Sequence, residues 1–197
     1  PPEVKMMLAA LAGIETVHIM AYALLLETLG LPDSEFSVFL EIPSMTAKVN
    51  YMDTFGVDTT DDILRTTAMF GGATEGLSLY SMFAMLMNFP RQNKMKGMGQ
   101  IVSWSVRDES LHAESIIRLH NTLAEEVGGR SVAVERDIVD IFKQAIFLED
   151  AFIETAFNVG EVPMLRPDEL KAYIRYVANW RLRQLKIDHT FDAPTEH

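Results

Sequence analysis

No cysteine occurs anywhere in the 197 residues. That excludes disulfides, zinc–thiolate sites and iron–sulfur clusters held by this chain. It also suits a reducing compartment, so a cytoplasmic location is expected. Basic residues are few: 17 Lys and Arg stand against 28 Asp and Glu, for a formal net charge of -11. The cations are scattered rather than clustered, which argues against a nucleic-acid-binding surface. No uninterrupted apolar run approaches the roughly 20 residues that cross a bilayer, and no membrane association is expected. The opening Pro1-Pro2-Glu3-Val4-Lys5 lacks the basic-then-apolar order of a signal peptide and has no initiator Met. It leads straight into a helical pattern, so the chain is expected to be a piece of something longer. No Gly-rich phosphate loop is evident, because Gly71-Gly72 and Gly97-Met98-Gly99 fall within or at the start of helical segments. They read as close-packing points.

What is present is helix. Pro2 suits a first turn and Gly30 before Pro32 suits a stop, which predicts a long first helix. A second is expected from Ser34 toward Phe55-Gly56, kinked or interrupted by Pro43. A third should run from Thr59 to Asn88, a fourth from Asn93 to Val127 and a fifth from Ser131 to Val159-Gly160. The sixth is expected from Pro167-Asp168 to Ile187. Strand-like alternation is scarce. Long helices with short connections imply an all-α fold, a single domain over 1–197 built as an antiparallel bundle. The 12 Met residues read as adaptable core filler. Trp104 and Trp180 are expected in the core or an interface, His120 as a core or boundary histidine near a helix end, and His189 and His197 solvated in the polar tail.

Two Glu-x-x-His pairs stand out, Glu15-Thr16-Val17-His18 and Glu109-Ser110-Leu111-His112. Residues three apart lie on one helix face, one turn apart, where a carboxylate and an imidazole can reach one metal. Bundles that hold two iron or manganese ions use such a pair on each of two helices, and single carboxylates from two more. Either pair alone reads as a His beside a Glu on a wet surface. Each, however, follows an apolar run, Leu11-Ala12-Gly13-Ile14 or Ile101-Val102-Ser103-Trp104, where unpaired charges are costly. Glu75 adds weight, being the only acid between Asp62 and Asp108.

With these residues the chain resembles the radical-generating small subunit of class I ribonucleotide reductase, within the ferritin-like superfamily. Val106-Arg107-Asp108-Glu109-Ser110-Leu111-His112 is similar to that family's Arg-Asp-Glu-x-x-His signature. The interval of 34 residues from Glu75 to Glu109 also fits, as does Tyr22 four residues after His18. The resemblance implies that Glu15, His18, Glu75, Glu109 and His112 ligate two metal ions. A sixth ligand, an Asp or Glu, would precede residue 1. It implies that Tyr22 carries a radical made with O2, and that Asp108 holds His18. Leu79 and Phe83 would wall the phenol, whereas Ser105 falls where a bulkier apolar residue is common and would make the pocket wetter. The bland reading of Tyr22 is a core phenol bonded to a carboxylate. That of Asp108 is a helix-face acid paired with Arg107 or a Lys.

The resemblance further implies a homodimer, and a separate large catalytic subunit that reduces ribonucleotides and receives the radical. A mobile tail for docking on it would follow His197. Iron is expected, with manganese–iron or dimanganese centres open, because nitrogen and oxygen ligands suit both metals. Rival readings are another ferritin-like oxidase or oxygenase, an iron-storage protein, or a helical interaction protein whose pairs are coincidental.

Overall fold

The computed structural model describes residues 1–193, and among these no strand occurs. Seven α-helices form: α1 Pro2–Thr28, α2 Pro43–Met52, α3 Thr60–Thr67, α4 Tyr80–Arg91, α5 Lys96–Glu126, α6 Val132–Val159 and α7 Pro167–Gln184. Local chemistry sets many of the ends. Pro2, Pro43 and Pro167 occupy first-turn positions, where a missing N–H costs nothing. Thr59 and Asp62 close a capping box on α3, and Ser131 accepts the Val134 N–H at the start of α6. Gly30 at φ 69° ends α1 in the left-handed conformation that glycine adopts without penalty.

Two expected helices are built differently. The stretch from Ser34 to Phe55 is two 3-10 turns, Asp33–Phe36 and Val38–Glu41, followed by α2. Pro43 therefore opens a helix rather than kinking one. The helix expected from Thr59 to Asn88 is α3, then a π-helical segment at Ala68–Ser78, then α4. A π-helical run of 11 residues is exceptional, since such geometry mostly appears as single-turn bulges and often at functional sites. Its glycines let it sit deep between α5, α6 and α7. A Cβ on Gly71 would come within 2.8 Å of Ile116, and one on Gly72 within 2.8 Å of Phe142.

The main core gathers Leu64, Met69, Leu77, Ile138, Phe142, Ile153, Ile174 and Leu182, all buried. His120 joins it, bonded to Thr67, Leu64 O and Arg130, while burial and the Arg130 charge push its pKa down to about 4. Trp104 and Trp180 are not core residues of this chain, at 53% and 36% exposed, which leaves the interface half of the expectation. His197 lies outside the described residues.

α1 packs against α5, yet His18 is its only buried residue. Although its apolar runs are short, the best 18-residue window of α1 has a mean hydropathy of 1.7, so by length and composition it could cross a bilayer. Its mid-point carries Glu15 and His18, both turned toward α5.

Candidate metal centre

Three elements deliver the polar groups. α1 supplies Glu15 and His18, the π-helical segment supplies Glu75, and α5 supplies Glu109 and His112. Ligand atoms of Glu15, Glu75, Glu109 and His112 all lie within 4.8 Å of one another. His18 stands just outside that group, with Nδ1 3.1 Å from Glu109 Oε1 and 3.5 Å from Glu15 Oε2. His112 Nδ1 faces the same carboxylates, 2.9 Å from Glu15, 3.3 Å from Glu109 and 3.8 Å from Glu75. All five expected ligands are thus brought to one place.

Three carboxylates at this spacing repel one another, and burial removes the water that would screen them. Burial, Glu75 and Glu15 together push the Glu109 pKa up to about 10. The buried oxygens Glu15 Oε1 and Glu109 Oε2 accept no well-aligned hydrogen bond among the described residues, although His112 Nδ1 is close to both, and His112 Nε2 has no partner among them. Carboxylate oxygens beside two imidazoles make a donor set that suits a divalent cation, which reverses the local electrostatics. The residues fit a metal site.

Asp108 leaves the cluster and turns to the histidine. Its Oδ2 lies 3.3 Å from His18 Nε2, while Oδ1 accepts from Arg107. Both expected partners are therefore real, on different oxygens. Tyr22, one turn past His18, donates its hydroxyl hydrogen to Ser105 Oγ at 3.1 Å rather than to a carboxylate. Burial and the nearby Glu109 charge raise its pKa, and the Ser105 bond lowers it in part. Leu79 and Phe83 join a small apolar cluster with Leu25, Met98 and Val102, and Leu25 lies one turn past Tyr22.

Sequence reasoning missed two buried polar systems. Glu149 of α6 is fully buried and bound by both Lys48 of α2 and Ser81 of α4. Arg181 of α7 is also fully buried. The signal was available in both, since each shares its helix face with apolar residues: Ala145 and Phe152 for Glu149, Ala178 and Leu185 for Arg181.

The family described as ribonucleotide reductase, small chain, matches residues 1–197. The chain belongs to that family. It is 38% identical to a ribonucleoside-diphosphate reductase small subunit named as probable in Invertebrate iridescent virus 3, over 93% of this chain and 54% of that protein. The corresponding protein of Invertebrate iridescent virus 6 is 37% identical over 97% of this chain and 63% of its own length. The ribonucleoside-diphosphate reductase subunit beta of Chlamydia pneumoniae is 29% identical over 93% and 57%. The chain thus spans between 54% and 63% of the length of these relatives. A crystal structure from Bacillus halodurans, described as a class I ribonucleotide reductase, superposes with a TM-score of 0.82 at 21% identity. That match covers 92% of this chain and 68% of that one. It shows the shared all-α, ferritin-like fold. Within the ribonucleotide reductase small-chain family, the Glu and His cluster suggests a dimetal site.

Proposed function

We propose that this chain is the radical-generating core of a ribonucleoside-diphosphate reductase small subunit. The observation that carries the reading is the convergence of Glu15, Glu75, Glu109 and His112 within 4.8 Å, in a chain whose whole length matches that family. In this reading Glu15, His18, Glu75, Glu109 and His112 hold two metal ions, iron first and manganese as the alternative. When bound, such a pair supplies, from O2, an oxidant able to take an electron and a proton from a phenol.

The protein's own contribution is positional. Asp108 holds His18 by Nε2 and so keeps Nδ1 toward Glu15 and Glu109. Tyr22 is the phenol to be oxidised. Its pKa lies above the ordinary value of a phenol that is already protonated at neutral pH, so its oxidation removes a proton as well as an electron. Ser105 fixes the direction of that O–H, and the apolar cluster around Leu79 and Phe83 limits water nearby. The radical would then pass to a separate large subunit that reduces ribonucleotides. The outer face of α1 supports pairing with a second copy, because Val17, Met20 and Leu24 share it and are each more than 60% exposed.

The test is aerobic reconstitution of the full-length protein with Fe(II), with metal counting and electron paramagnetic resonance. Two metals per chain and a tyrosyl signal that disappears in Tyr22→Phe support the reading. A signal that survives that substitution removes Tyr22 from the role, and fewer than one metal per chain overturns the reading as a whole.

One observation favours a second reading, a dimetal oxidase or oxygenase with an apolar substrate. A cavity of about 200 Å³ lies beside the π-helical segment, lined by Met45, Met52, Met69, Met82, Leu79 and Phe152. O2 consumption that depends on an added apolar substrate, with no tyrosyl signal, would favour it.

A further inference from the structure

Arg181 is 0% exposed, yet no carboxylate among the described residues lies within ion-pair distance of it. A buried cation without a counter-charge is costly, and apolar residues of the same volume commonly serve stability as well or better. What the guanidinium does contact is specific. Nε donates to Gly76 O at 3.0 Å, Nη2 to Tyr80 Oη at 3.0 Å and Nη1 to Gln184 Oε1 at 2.9 Å. It also stacks 4.3 Å from the centre of the Trp180 ring.

Two of these bonds lead to the metal-ligand elements. Gly76 is the residue after Glu75 in the π-helical segment. It must be glycine here, because a Cβ would sit 2.8 Å from Arg181 Nε and 2.7 Å from Gly71 O. The second path runs through Tyr80 Oη, which lies 3.1 Å from Ser110 Oγ, and Ser110 in turn donates to Val106 O at 2.7 Å. Since Arg181 fills an acceptor site on Tyr80 and the Ser110 proton goes to Val106, the Tyr80 proton must point to Ser110. The chain of donors therefore has one direction, from the guanidinium to the turn of α5 that carries Glu109. A charged donor at its head polarises every bond after it.

We propose that Arg181 is a positioning residue for the candidate metal centre, bracing the Gly76–Leu77 peptide, which follows Glu75, on one side and the Val106–Ser110 turn on the other. The proposal rests on the dimetal reading above for its purpose. The brace holds the backbone that carries Glu75 and Glu109 at ligand spacing before any metal enters. The π-helical segment needs such a hold, since its hydrogen-bond geometry is the least common of the helical types.

The experiment compares full-length protein carrying Arg181→Met, Arg181→Lys or Tyr80→Phe with the unsubstituted protein. Three quantities are read: thermal unfolding, amide exchange in the metal-free state, and Mn(II) affinity from the free-ion resonance signal. Arg181→Met is expected to unfold cooperatively near the original temperature. Exchange across 73–80 should nevertheless quicken at least tenfold relative to α6, and Mn(II) binding should weaken about 10–100-fold. Arg181→Lys, which keeps one donor for Gly76 O, should recover part of both. A folded Arg181→Met protein with Mn(II) affinity and local exchange within twofold of the original overturns the proposal. If Arg181→Met does not fold, Tyr80→Phe decides, and unchanged exchange at 106–110 together with unchanged affinity overturns it. Should the unsubstituted protein bind no Mn(II), the dimetal reading fails by itself. The exchange data on metal-free protein then still decide whether the brace exists.

Discussion

His18 Nε2 and Asp108 Oδ2 lie 3.3 Å apart although 90 residues separate them in sequence. The contact joins α1 to α5 and sets which ring nitrogen of His18 looks inward. Partners of this kind, one shell beyond a metal, typically change affinity by about 10–100-fold when removed. Asp108→Ala is expected to weaken Fe(II) or Mn(II) binding by that factor while leaving the helical circular dichroism unchanged. Affinity within twofold of the original would show that His18 is held by its other contacts.

Ser105 has a measurable effect on Tyr22. It is buried and hydrogen-bonded to the phenol, and its hydroxyl can turn to donate to the phenolate, which offsets part of the pKa rise caused by burial. Removing that hydroxyl in Ser105→Ala should move the Tyr22 titration further upward. Ultraviolet titration against the same protein carrying Tyr22→Phe isolates this phenol from the other four Tyr residues. An unchanged or lower titration point would contradict the assignment.

Glu109 ties metal affinity and stability to pH in opposite directions. Its pKa lies near the ordinary 4.5 in the unfolded chain and is pushed up to about 10 in the metal-free fold. Between those values the native state holds a proton that the unfolded chain has lost. Its contribution to stability therefore falls as pH rises through that window. Metal must displace the same proton, so metal binding should tighten over the same range. Denaturant midpoints of metal-free protein and metal titrations, each at several pH values, check both slopes.

Lys48 and Glu149 form a buried ion pair, with Ser81 also bound to the carboxylate. Lys48→Met would strand a fully buried charge, which costs about 3–5 kcal/mol. Burial already raises the Glu149 pKa while Lys48 lowers it. The loss should shrink as pH falls, because a protonated Glu149 is no longer a stranded charge. Lys48→Met with Glu149→Met should regain most of the stability. Equilibrium unfolding of the single and double variants at two pH values reads this directly.

The pattern of two Glu-x-x-His pairs and a lone Glu75 was legible because helix periodicity alone decides which side chains share a face. Caps and prolines told where most helices end. The π-helical segment was not legible. Its apolar composition suits any buried helix, and only the close approach of Gly71, Gly72 and Gly76 to α5, α6 and α7 distinguishes it. Pro43 likewise reads equally well as a helix breaker or a helix opener until the preceding chain has a place.

By itself, then, the sequence determined the helical class, the absence of thiol chemistry and the five candidate ligands, all consequences of residue type and short-range spacing. The tertiary structure alone decided which other groups meet across the bundle: Ser105 with Tyr22, Lys48 with Glu149, and Arg181 with Gly76 and Tyr80. Such pairings depend on how helices far apart in sequence pack against one another. That follows from the summed burial of many side chains, which no local spacing encodes.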